Sequence, residues 1–186
     1  MKNSILIAVV FVAGMFTANA QTTNNGQVNV NINLHKFQTL TINQSDVNID
    51  FITEDHYTNG ATSGVIQDQI TVSSTGAFAV KATSVTAIQN ANGEQLGTGT
   101  SALRVSASAG TNPLEHSPGY ANNTELKEDA VLFSADKGQF GKNVSVKYQA
   151  DQNLFTNLGL INNEFVNQND NKTTYQVQVV YTIDVK

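Results

Sequence analysis

The chain has 186 residues, 40% hydrophobic and 13% charged, with 15 acidic against 10 basic side chains and a formal net charge of −5. That length supports one substantial core, and an acidic, charge-poor surface disfavours nucleic acid and anionic lipid as partners. The lack of cysteine excludes disulfides, thiol catalysis and thiolate metal sites, so burial and sheet pairing must hold the fold.

Residues 1–20 read as a signal peptide. Lys2 supplies the positive start, residues 5–16 the apolar run, and Ala18-Asn19-Ala20 a small-x-small cleavage site. That apolar run is short for a membrane span, and no other run of about 18 apolar residues follows. The mature protein is therefore expected to have no transmembrane segment and to be exported to the periplasm, the cell surface or the extracellular space. Residues 21–27 are polar and read as a flexible N-terminal arm. Residues 28–186 are expected to form a single β-sandwich domain.

Within that domain, residues 28–34 alternate cleanly, with Val28, Val30, Ile32 and Leu34 on the inward face and three asparagines on the other. Asparagine is a poor strand residue, so here pattern has to override propensity. Leu40 and Ile42 continue the theme, then Val47, Ile49 and Phe51 alternate with Asn48 and Asp50. Residues 53–64 read as a polar loop. Ile70, Val72 and Ser74 alternate, Ser74-Thr75-Gly76 supplies a turn, and Phe78, Val80 and Ala82 alternate beyond it, which reads as a hairpin. Further strands are expected around Leu103 to Ala107, Val131 to Phe133 and Val144 to Tyr148. Residues 110–124, with both prolines, read as a long surface loop. Residues 151–172 carry too many apolar side chains for a solvated loop and are expected to form a packed excursion or short helix.

The last stretch organises the rest. Tyr175, Val177, Val179, Tyr181, Ile183 and Val185 share one face, the pattern of a long half-buried strand that calls for partners on both edges. About eight or nine short strands with almost no helical periodicity make the expected fold all-β, an antiparallel Ig-like β-sandwich with its first and last strands adjacent and parallel.

No motif specifies an enzyme. There is no His-Glu-x-x-His spacing, no Gly-x-Ser-x-Gly elbow, and the glycine-rich 97–102 stretch lacks a βαβ context. The most site-like cluster is Glu54, Asp55, His56 and Tyr57, whose carboxylates and imidazole suit a divalent cation, calcium being the natural candidate for an oxygen-rich loop. A solvated polar loop explains the same residues. Tyr57 and Tyr120, in expected loops, are candidates for stacking against a sugar face. No cofactor is otherwise implied.

The alternating 28–34 stretch, Gln38-Thr-Leu-Thr-Ile42, the Ser-Ser-Thr-Gly-Ala-Phe-Ala-Val stretch at 73–80 and the closing Tyr181-Thr-Ile183 resemble small exported proteins of Bacteroidota, which are similar in turn to fimbrial or spore-coat-U-type β-sandwich subunits. The resemblance implies a cell-envelope or extracellular structural role and carries over no catalytic residue. The expected function is thus non-enzymatic and structural or adhesive. The partner would be a second copy or another envelope protein, engaged by strand addition through Val28, Val30, Ile32 and Leu34. Pairing of that strand within its own sandwich is the simpler alternative. The rival function is a monomeric carbohydrate- or calcium-binding module, with glycans as partners, built on the 54–60 and 110–124 loops.

Overall fold

The computed structural model describes residues 26–96, 102–155 and 173–186. The chain divides into two units, Met1–Leu34 and His35–Lys186. The expected leader and residues 156–172, the bulk of the expected packed excursion, lie outside the described residues.

In the first unit, residues 26–34 have no assigned secondary structure. The side chains of Val28, Val30, Ile32 and Leu34 are 77–91% exposed. This corrects the expectation of an inward-facing strand. Alternation specifies which face of a strand would be buried, but a strand also needs an edge to supply its hydrogen bonds, and no ladder among the described residues includes these.

The second unit runs β1 (Gln38–Ile42), α1 (Glu54–Asn59), β2 (Ala61–Ser74), β3 (Phe78–Ser84), β4 (Leu103–Ala109), β5 (Gly119–Tyr120), β6 (Thr124–Glu125), β7 (Val131–Ala135), β8 (Gln139–Ala150), a 3-10 turn at Gln152–Phe155, and β9 (Val179–Val185). The strands make two antiparallel sheets, ordered β1-β2-β8-β4-β6 and β5-β7-β3-β9. Alternating residues of both sheets meet in one core: Ile70, Val72, Val105, Val144 and Val146 from the first, Phe78, Val80, Phe133 and Ala135 from the second. Each large apolar side chain buried there contributes about 1.5–3 kcal/mol, enough to hold two layers without disulfides. Leu154 is buried in the same core, in line with a packed start to the excursion after residue 151.

Two expectations about connectivity fail. The turn at residues 74–76 does not make a hairpin, because β2 and β3 lie in different sheets. The chain arches across the core there, with the Ser74 hydroxyl donating to the Gly76 carbonyl at 2.8 Å. A second arch joins β7 to β8. The two arches touch backbone to backbone, since a Cβ on Gly138 would lie 2.5 Å from the Thr75 carbonyl. A local reversal signal is the same whether the strands it joins pair side by side or face one another across a core.

The pairing expected between residues 28–34 and the last strand is also not seen, because residues 28–34 carry no assigned strand. β1 pairs with β2 and β9 with β3, in separate sheets, and every ladder among the described residues is antiparallel. Among the described residues β9 has a partner on one edge only, although its length calls for two. Residues 47–51 keep the expected alternation, with Val47, Ile49 and Phe51 half-buried against the core, yet they join no ladder.

Candidate functional site

The segment read as a polar loop at residues 53–64 instead forms α1 and the start of β2. Thr53 caps the helix, its Oγ1 accepting from the His56 amide at 3.3 Å. The side chains expected to hold a ligand are engaged locally. His56 Nδ1 accepts from the Ile52 amide at 3.1 Å, and the Tyr57 hydroxyl donates to the Phe51 carbonyl at 3.1 Å. Asp55 Oδ1 accepts from Asn59 Nδ2 at 2.6 Å. The helix thus brings Glu54, Asp55, His56 and Tyr57 together in sequence but turns three of them onto its own flanks. Among the described residues no group of three or more His, Asp or Glu side chains is placed to hold a metal ion. Tyr120 is on β5, paired with Phe133 of β7, and belongs to the wall of the second sheet rather than to α1. Burial of its hydroxyl pushes its pKa up.

Polar networks elsewhere among the described residues have structural explanations. Asp68, at positive φ in an irregular part of β2, accepts from the Thr111 amide at 2.8 Å and from the Thr111 hydroxyl at 2.5 Å. Those bonds, the hydroxyl's first, hold its carboxyl below the ordinary value. The buried Gln139 side chain clamps the Glu115 backbone from both sides, at 2.7 and 2.6 Å, and pins the 110–124 loop to the start of β8. The Tyr148 hydroxyl bridges the two sheets: it bonds Gln69 Oε1 at 3.2 Å and the hydroxyl of Tyr181 on β9. Burial pushes both phenol pKa values up, that of Tyr181 further because a second phenol faces it.

The surface that remains unaccounted for is a strand edge. Proteins protect sheet edges by keeping them short, charged, bulged or covered. β5 and β6 have two residues each and β1 has five. β9 has seven, in unbroken register with β3 and with no proline or lysine.

The orientation of its backbone follows from two bonds at its ends. The Val85 amide donates to the Gln178 carbonyl at 3.0 Å, and the Lys186 amide to the Ala77 carbonyl at 3.1 Å. In an antiparallel ladder both backbone groups of a residue point to the same side, and that side alternates along the strand. Val180, Thr182 and Asp184 therefore face β3, while Val179, Tyr181, Ile183 and Val185 direct their amides and carbonyls away from it. Among the described residues none of these outward groups has a backbone partner. The side chains of Val179, Tyr181 and Ile183 are only half-buried on the inner face. A cleft of about 210 Å³, lined in part by Gln38, Ala77 and Val185, opens at the end of this edge.

The sequence reading missed this edge because it took the final strand as central. Its period-two alternation carries no signal that separates an edge strand from a central one. Another surface it did not single out is a pair of exposed stacked rings, Phe37 and Phe140, with centroids 6.3 Å apart.

No helix among the described residues is long and apolar enough to cross a membrane. In comparison with known proteins, no family model and no curated sequence matches the chain.

Proposed function

We propose that this is a non-enzymatic, exported structural or adhesive protein of the cell envelope or extracellular space that associates with itself by strand addition. The observation that carries the reading is the state of residues 28–34. Four large apolar side chains at strand spacing stand 77–91% exposed, next to backbone that joins no ladder among the described residues. Such a segment is costly in water and becomes favourable on pairing, when its side chains are buried and its amides and carbonyls are satisfied. Main-chain bonds would supply affinity, and Val28, Val30, Ile32 and Leu34 would fill the spaces along the acceptor. The leader-like residues 1–20 and the sparsely charged, Asn- and Thr-rich sequence support an exported setting. An Ig-like arrangement, with first and last strands side by side, belongs in this reading to the assembled form rather than to one chain.

The test is the solution mass of residues 21–186 by light scattering after size exclusion, beside the Val30→Asp/Ile32→Asp variant of the same residues. Multimers from the first and folded monomers from the second are expected. A monomeric parent protein would rule the reading out.

A further inference from the structure

Strand addition needs an acceptor, and the edges of the two sheets are not equal candidates. We propose that the outer edge of β9 on one copy receives residues 28–34 of a second copy; this rests on the self-association reading above and names its missing half.

Four observations converge on that edge. It is longer than the other sheet edges, at seven residues, and residues 28–34 also number seven. Its ladder with β3 has no register shift, so the outer face is regular enough to template another strand. By contrast β2, whose Ala61 to Gln69 half extends beyond β1, has register shifts and positive-φ residues at Gly64 and Asp68, which spoil a continuous ladder. Finally, Val179, Tyr181, Ile183 and Val185 point outward backbone groups that have no backbone partner among the described residues, while their side chains are incompletely covered on the inner face.

A strand laid along this edge with Val28, Val30, Ile32 and Leu34 inward would extend the inner face of the second sheet over those side chains. The cleft beside Gln38, Ala77 and Val185 would take a terminal apolar side chain. Asn29, Asn31 and Asn33 would then continue the outer face, where Val180 and Thr182 are exposed. Donor and acceptor are different surfaces, so the contact is head to tail and leaves a free donor and a free edge at the two ends of every open assembly.

That asymmetry gives the test. The donor variant, Val30→Asp/Ile32→Asp, keeps β9 intact. The acceptor variant, Val179→Pro, removes an outward amide at the first residue of β9, a position where an edge strand tolerates proline. Val185→Lys, at an exposed position on the same edge, serves as a second acceptor variant should the first not fold by circular dichroism.

Light scattering is expected to show multimers for the parent protein, monomers for each variant alone, and dimers that grow no further for an equimolar mixture. Continued multimerisation of folded acceptor variants, with the donor variant monomeric, would leave strand addition standing and overturn β9 as its acceptor. Multimers from the donor variant alongside monomeric acceptor variants would mean that β9 pairs with something else, such as β9 of another copy, and would overturn the assigned occupant. A parent protein that is monomeric throughout would overturn both readings.

Discussion

Gly110 occupies a position where a side chain has no room. A Cβ there would lie 2.3 Å from Asp68 Oδ1 and 2.6 Å from the Asn143 carbonyl, which is backbone and cannot swing aside. Gly110→Ala is expected to destabilise the protein by about 1–3 kcal/mol, the usual cost of overpacking, and urea unfolding would measure it; an unchanged midpoint would mean that the loop relaxes freely.

The Tyr148 and Tyr181 pair makes a separate expectation about pH. Both phenols have pKa values raised above the ordinary 10.0. A raised folded-state pKa stabilises fully below the unfolded value, and that contribution is lost as pH rises beyond it, so the pair should make the fold alkali-sensitive above about pH 10. Tyr181→Phe leaves the Tyr148 hydroxyl its bond to Gln69 and is expected to cost about 0.5–1.5 kcal/mol at neutral pH, one hydrogen bond's worth. The variant's melting temperature should then fall less steeply than the parent's above pH 10. Parallel alkaline curves would show that the pair does not govern the loss.

For β9 as an element, alternation of the backbone makes a finer expectation than strand content alone. In a monomeric form such as the donor variant, the amides of Val180, Thr182 and Asp184 face β3 and should exchange slowly. Those of Tyr181 and Ile183 face outward and should exchange fast. In assembled parent protein all of these amides should be protected. Residue-resolved hydrogen exchange distinguishes the two patterns, and uniform protection in the monomer would show that the outer edge is already covered. α1 teaches the complementary lesson. Its Glu-Asp-His-Tyr sequence looks like a ligand loop when read for chemistry, but Thr53 in front of two acidic residues also spells a helix start, and the helix occupies the very side chains that a ligand would need.

At the scale of the molecule, head-to-tail contact between unlike surfaces stays open unless its rotation closes a ring, so mass is expected to grow with concentration rather than settle at one oligomer. Sedimentation velocity across a dilution series is expected to show a broad, concentration-dependent distribution. The apparent melting temperature should rise with it, because association adds free energy to the folded state. A single concentration-independent species would instead point to a closed assembly, a dimer about a two-fold axis or a ring.

The sequence by itself determined the all-β class, the positions of several strands and the residues of the core, since period-two alternation of Ile70, Val72, Phe78, Val80, Val144 and Val146 dictates both conformation and buried face. It also marked residues 28–34 as strand-like and supplied no enzyme motif. Only tertiary structure decided which strand pairs with which. The turns at residues 74–76 and 136–138 read the same as hairpins or as arches, and the alternation of β9 reads the same at an edge as at the centre. Side-chain periodicity records which face meets the core. Pairing runs through backbone amides and carbonyls, which are common to nearly every residue and leave little trace in the sequence.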